Sequence, residues 1–464
     1  MPAPLRLSLA LALSLAAPSA VLAQTADAPA PASTPARTPA PAPAPTPSKD
    51  LAWIRTKTDA NRVLRLQLAI REFKPKNGIG PTIVLAGAVH IADKSFYKQL
   101  ESTLESENDL VLFESVKPAG LGQSVIPDGI EGDPRRTERT TDRIALTRSI
   151  IERWKRSPKS EGEYPNSIAE LRRSLVDAGH AREEQWLRTV GVDAWGRDLI
   201  YDRAPDARSF TLGSLGKDGE RGGDGPDRDT WLTDLPPLSP KELGESEGIQ
   251  KRLAQTFDLA FQLDEMKHEG PKWVNSDMSI DDVAERLAPP GGGGDDSQQN
   301  MLFALLDGSS FPAKVASALL TIVETVPGMA VRMKVMMLEM LASADNGVLQ
   351  NIDAPGMGDM SRLMKVIIDD RNQVVIDDLR KTILERPQTG RIAVLYGAGH
   401  LPDLAHRLED QLGYAHSSGK WITAVRVDLD RAGIDESEIA MTREMMRAQL
   451  NAMRKMPQEP VQTE

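Results

Sequence analysis

The sequence predicts an α/β protein with a small, turn-rich α+β module set into it. Three observations lead there. "TIVLAGAVH" (82–90), "DLVLFESV" (109–116) and "RIAVLYGAGH" (391–400) are continuous apolar runs, the pattern of strands covered on both faces. Helix-spaced "SFYKQLESTLES" (95–106) separates the first two, which gives the strand–helix–strand order of a βαβ unit and predicts a parallel pair. From about Thr137 to Leu235 the texture changes to a charged helix followed by turns rich in Gly, Asp and Pro.

In chain order, Met1–Arg6 is short and basic, Leu7–Leu22 is apolar, and "SAVLAQ" offers cleavage after Ala23. This reads as a secretory signal peptide over 1–23, to be set apart from the fold. Residues 24–49 are almost all Ala, Pro, Thr and Ser and are expected to form an extended linker. "RVLRLQLAIREF" (62–73) alternates like a half-buried strand. The βαβ unit follows, with Asp93 or Ser95 as its helix cap. After Pro240 the chain reads as helical over Leu243–Met266 and Ser279–Leu287, and "PPGGGGDDSQQ" (289–299) breaks it. Met301–Ser343 is apolar and Met-rich, which suits core packing. Its charges, among them Lys314, Glu324, Arg332, Lys334 and Glu339, argue against a membrane span. Met360–Glu385 is amphipathic, Pro402–Leu412 is a further helix, "KWITAVRVDLD" (420–430) is a further strand of the body, and Glu436–Met456 is a terminal helix.

Composition narrows the function. A net charge of -11 with no Lys/Arg cluster excludes nucleic acid as a partner, because nothing would neutralise phosphates. With no cysteine in the chain, disulfides, thiolate catalysis and Cys-ligated metals are excluded.

Two of the six histidines, His90 and His400, end apolar runs in the same Gly-x-x-His frame, after Gly87 and Gly397. Glycine there is expected to allow positive φ and close approach to a bound group. The histidines, with Glu114 at the end of the middle run, should open onto one edge of the sheet, where ligands bind in open α/β folds. Two imidazoles and a carboxylate suit a divalent transition metal, and equally suit metal-free acid–base chemistry. His180, His268, His406 and His416 have no such pattern and are expected to be surface or structural.

"LAGAVHIADKSFYKQLESTLESENDLVLFESV", with Arg371-Asn372 in "DDRNQVV" and the second Gly-x-x-His, resembles the TraB/PrgY/GumN family, which is related to the TIKI metalloproteases. "FDLAFQLDEMKHEGPKWVNSDMS" (257–279) resembles that family's middle. The resemblance implies a sandwich of two βαβ-containing halves, at 50–133 and 236–435, with a large helical region and a C-terminal helix and tail at 436–464. It also implies metal-dependent hydrolysis of a peptide or small-molecule substrate, which the signal peptide would place in the periplasm or outside the cell. The metal would be Mn, Co or Zn at His90, Glu114 and His400. Arg371 would hold a substrate carboxylate or an oxyanion; a salt bridge to Asp369 or Asp370 is the structural alternative.

Tyr164-Pro165, Asp193-Ala194-Trp195-Gly196, Ser214-Leu215-Gly216-Lys217-Asp218-Gly219, Gly222-Gly223 and Asp229 mark the inserted module, at 134–235. They resemble the C-terminal domain of the major pseudopilin of type II secretion systems, with Ala194 where that family has Pro. By itself, the acidic glycine loop with Asp218, Asp224, Asp227 and Asp229 has the oxygen-rich character that Ca²⁺ takes, or is a solvated acidic loop. The resemblance implies calcium, with Asp218, Asp229 and the Leu215 carbonyl as ligands. It also implies a secretion-system or envelope partner. Pseudopilins assemble through an N-terminal apolar helix, but the corresponding helix here is charged and internal, so polymerisation is not expected. Tyr164, Trp195 and Tyr201 are expected to form the module's core.

Overall fold

A computed structural model describes residues 51–122, 126, 128–130, 132–238, 249–266, 268, 270–287, 326, 328–344 and 365–454. The signal-peptide and linker readings, the "PPGGGGDDSQQ" break, residues 301–325 of the Met-rich stretch and the polar tail lie outside these residues.

The body is mixed α/β. Strands β1 (Ile54–Thr58), β2 (Val63–Pro75), β3 (Thr82–Ala88), β4 (Leu110–Phe113), β8 (Trp273–Asn275), β9 (Arg391–Gly397) and β10 (Tyr414–Asp428) form one seven-stranded sheet. Its order is β1-β2-β3-β9-β4-β8, with β10 on the other side of β2. The apolar runs occupy its centre, as their lack of alternation requires, because helices cover both faces there. Every residue of β4, and all of β3 after Thr82, is buried.

Two pairings differ from expectation. β3 and β4 run parallel but are not neighbours: β9, from the far end of the chain, lies between them and pairs in parallel with both. β10 does not complete a parallel unit with β9. It runs antiparallel along the whole of β2, from Tyr414 opposite Pro75 to Asp428 opposite Val63. Strands from both ends of the chain therefore build one mixed sheet.

Helices α1 (Lys94–Glu107), α8 (Arg371–Glu385), α9 (Leu401–Gln411) and α10 (Glu436–Arg454) belong to the body. So do α5 (Ile249–Thr256), α6 (Ile280–Leu287) and α7 (Met329–Ala344). The expected long helix over Leu243–Met266 is interrupted: α5 ends at Thr256, and a short strand, Ala260–Phe261, pairs with Ile91–Ala92 beside His90. The described part of the Met-rich stretch does pack in the core, through Val335, Met337, Leu338 and Leu341 of α7. A π-helical turn, Lys365–Asp370, leads into α8, so Arg371 sits at a change of helical pitch.

The module has its own core. Helices α2 (Asp133–Lys155), α3 (Ile168–Ala178) and α4 (Ala181–Val190) pack with an antiparallel sheet of β5 (Ile200–Arg203), β6 (Phe210–Ser214) and β7 (Thr230–Trp231). Ile144, Ile151, Leu171, Leu187, Val190 and Leu212 form its centre, separate from the main cluster. Ser167 starts α3 by accepting the Glu170 N–H, and the Glu170 carboxylate accepts from the Asn166 N–H in return. Tyr164 and Tyr201 join this core as expected; Trp195 does not.

Candidate functional site

The parallel register of β3, β9 and β4 brings the three strand ends together. Tyr396 lies opposite Gly87, Gly397 opposite Ala88, and Leu395 opposite Phe113. His90 follows two residues after β3, Glu114 immediately after β4, and His400 on a 3₁₀ turn that opens α9. The interposed β9 puts His400 in the middle strand position, directly beside Glu114.

Glu114 is the hub. Its Oε2 accepts the Gly397 backbone N–H at 2.5 Å, and its Oε1 accepts from Arg371 Nη2 at 2.7 Å. His400 Nε2 is 3.6 Å from the same Oε1. Burial works to raise the Glu114 pKa. The charges of Arg371, His400 and His90 and the Gly397 N–H together outweigh it and hold the carboxyl at about 2. Glu114 is therefore ionised at neutral pH. Neither Gly87 nor Gly397 uses positive φ, contrary to expectation. The need for glycine is steric: a Cβ on Gly397 would stand 3.1 Å from Glu114 Oε2, and one on Gly87 would meet Leu401 Cδ1 at 3.3 Å.

Arg371 is held by two carboxylates from distant segments. Asp277 accepts from Nε at 2.8 Å and from Nη2 at 2.7 Å, and Glu114 takes the remaining contact. Asp369 and Asp370 are not its partners. Asp369 pairs with Arg407, and Asp370 with Lys365 and Arg286. Asp277 is fully buried, and Ser276 and Ser279 around it are equally inaccessible. One guanidinium thus faces two carboxylates, which leaves this cluster one negative charge in excess.

The His400 tautomer follows from its neighbours. Asn372 donates through Nδ2 to the His400 carbonyl at 3.1 Å and to Asp403 Oδ2 at 2.8 Å. Its amide is thereby oriented, and its Oδ1 faces His400 Nδ1 at 2.8 Å. Nδ1 must then carry the hydrogen, and Nε2 presents a bare lone pair toward Glu114. Burial lowers the His400 pKa to about 4, against the pull of Glu114, so the ring is neutral at pH 7.

Of the four residues expected at the body site, Glu114, Arg371 and His400 lie side by side, and His90 is within electrostatic reach of Glu114 and His400. Their donor types suit a divalent cation, and the excess negative charge favours one. Among the described residues, no group of three His, Asp or Glu side chains closes into a metal cage. Asp277 and Asp403 were not expected. A single Asp in "WVNSDMS" carries no periodic signal, although that stretch lies in the segment that resembles the family's middle.

In the module, Gly216, Gly219, Gly222, Gly223 and Gly225 all take positive φ, so the acidic loop folds as tightly as its composition suggests. A Cβ on Gly216 would lie 2.7 Å from the Asp227 backbone. Leu215 is half-buried after β6, and Asp218 and Asp224 are exposed. Asp229 accepts from the Gly222 N–H at 3.2 Å and from Trp231 Nε1 at 3.3 Å. Arg197 already braces the loop, donating to the carbonyls of Gly216 and Lys217 at 2.6 Å each.

Of the remaining histidines, His268 is structural as expected. It is buried and stacks on Phe113 at 4.7 Å.

Residues 136–232 match the family model described as type II secretion system (T2SS), protein G. No curated protein and no solved structure matches the chain. The module is thus a pseudopilin-like domain, and the match covers its helices and sheet but none of the body. No helix among the described residues is long and apolar enough to cross a membrane.

Proposed function

We propose that the body is a metal-dependent hydrolase of the TraB/PrgY/GumN type, TIKI-like in its two-halved sandwich, acting on a peptide or small-molecule substrate. One observation carries the reading: an ionised Glu114 and the bare Nε2 of a neutral His400 converge at the C-terminal edge of three parallel strands, beside His90. In this reading His90, Glu114 and His400 would hold a divalent transition metal (Mn, Co or Zn). The ion would supply Lewis-acid polarisation of a carbonyl and a more acidic bound water. Arg371, locked by Asp277, keeps Glu114 ionised and fixed. Asn372, locked by Asp403, keeps the His400 Nε2 lone pair turned toward Glu114. Gly87 and Gly397 let the two strand ends approach.

The pseudopilin-like module adds a setting. It supports an envelope or secreted location, periplasmic or beyond, and a secretion-system partner. Calcium at Asp218 and Asp229, with Asp224, Asp227 and the Leu215 carbonyl, would staple its loop. A second reading has its own support. The match lies wholly within the module, and both Glu114 oxygens already have donors, which fits a non-catalytic binding protein that docks through the module. The test is peptide hydrolysis by the full chain with Mn²⁺, Co²⁺ or Zn²⁺. The hydrolase reading predicts metal-dependent cleavage that His90→Ala and His400→Ala abolish while circular dichroism is unchanged. Cleavage that survives both substitutions, or none with any of the metals, leaves the binding reading.

A further inference from the structure

The acidic loop of the module is held by the chain's own cations. Arg197 donates from Nη1 to the Gly216 carbonyl and from Nη2 to the Lys217 carbonyl, at 2.6 Å each. The loop folds closely over this guanidinium: a Cβ on Gly219 would stand 2.9 Å from Arg197 Nε and 3.1 Å from its Cζ. Lys217 reaches the other way and donates to Asp133 Oδ2 at 2.7 Å, in the first turn of α2. That helix also joins the module to the body, where Arg139 reaches Asp281 Oδ2 with Nε at 2.9 Å and Asp282 Oδ1 with Nη2 at 3.2 Å. Gly122 has no room for a side chain there, since a Cβ would fall 1.8 Å from Arg139 Nη1.

Arg197 is itself anchored by a buried carboxylate. Asp193 Oδ1 accepts the Arg197 N–H at 2.9 Å, and the Asp193 N–H donates to the Arg197 carbonyl at 2.7 Å. Asp193 Oδ2 accepts from Ser214 Oγ at 2.7 Å, and Ser214 Oγ accepts the Gly216 N–H at 3.2 Å. The turn at Gly216 is thus gripped at both ends of one residue. Ser214 takes its N–H and Arg197 its carbonyl, and Asp193 positions both. A fork with two donors, fixed at its root, loses little freedom in making these bonds.

We propose that Arg197 is the resident cation of the acidic loop, holding it in shape with no metal bound. Asp218, Asp224, Asp227 and Asp229 lie within twelve residues, and their charges repel one another. A guanidinium bonded to two consecutive carbonyls puts a positive charge inside the turn they form, through charge-assisted hydrogen bonds. Arg197 bonds carbonyls and not acids: among the described residues it forms no ion pair with a loop carboxylate. In the calcium reading it therefore leaves the Leu215 carbonyl and the Asp218 and Asp229 carboxylates to the ion. Calcium then binds a loop that is already ordered. The proposal deepens the calcium reading of the module, and its test is decided without calcium.

The experiment is hydrogen exchange of the full chain in the presence of a calcium chelator, on the wild type, Arg197→Ala and Arg197→Lys. The amides read are those of the loop, among them Lys217 N–H, which donates to the Pro226 carbonyl at 2.9 Å, and Asp229 N–H, which donates to the Gly222 carbonyl at 3.3 Å. The wild-type loop should be protected in chelator. Arg197→Ala should lose about tenfold or more of that protection, while α3 and α4 keep theirs. Arg197→Lys, which keeps the charge without the fork, should lose less. A wild-type loop that is unprotected in chelator overturns the proposal. So does an Arg197→Ala loop as protected as the wild type, or a loss in α3 and α4 as large as in the loop. Added calcium should restore the loop of Arg197→Ala. Calcium that protects neither protein counts against the calcium reading alone, because the chelator arms decide the role of Arg197.

Discussion

Asp277→Asn isolates the buried charge cluster with a nearly isosteric change. Asp277 has no exposed surface, and both its oxygens hold Arg371, whose side chain is 9% exposed. The asparagine keeps one acceptor for the guanidinium but turns an NH₂ group toward it. Arg371 then keeps a charged partner only in Glu114. Breaking one side of a buried ion pair costs about 3–5 kcal/mol, because the other charge is left without compensation. Removal of the excess negative charge offsets part of this, so the expected loss is at the lower end, about 3 kcal/mol. The control is Asp377→Asn, since Asp377 and Arg380 form a pair that is 56% and 45% exposed and worth under about 0.5 kcal/mol. The assay is urea unfolding of the full chain, taking the transition of the α/β body separately from that of the module. A loss for Asp277→Asn no larger than for Asp377→Asn would refute the reasoning that this cluster organises the site.

Gly122→Ala should drive Arg139 out of its pairs with Asp281 and Asp282 and lower stability by about 1–3 kcal/mol, read from the same unfolding curves. His268 is buried with its Nε2 unpartnered, and burial lowers its pKa from 6.5 to about 4. Its stability contribution is present above pH 6.5 and is lost as pH falls toward 4, by up to about 3 kcal/mol. His268→Asn, which tolerates the positive φ of 49°, should flatten the unfolding midpoint across that window. Calcium should raise the melting temperature of the module, and Asp218→Ala with Asp229→Ala should remove that rise while leaving the calcium-free melting temperature within a few degrees.

The elements that build the site were legible because their signals are local. β3, β4 and β9 announce burial on both faces in unbroken apolar runs, and their ends carry His90, Glu114 and His400. The placement of β9 between β3 and β4 was not legible, because strand order depends on which distant segments find one another and leaves no trace in periodicity. For the same reason β10 reads as a strand but not as the antiparallel partner of β2. The glycines of the two histidine frames were expected to use positive φ and do not; a Cβ at either would instead crowd Glu114 or Leu401. Asp277 was invisible because a buried acid is defined by its partner, and Arg371 lies almost a hundred residues away. In the module, by contrast, turn chemistry is written residue by residue, and the positive-φ glycines stand where the acidic loop calls for them.

The central claim is that His90, Glu114 and His400 form one metal-binding site in the body. Calorimetric titration of the full chain with Mn²⁺, Co²⁺ or Zn²⁺, with calcium in excess to occupy the module, tests it most directly. The account predicts one ion bound per chain, lost in both His90→Ala and His400→Ala and unaffected by His406→Ala, whose ring is half exposed and pairs with Asp410 at 3.1 Å. Binding that is absent from the wild type, or that survives both substitutions, would contradict it.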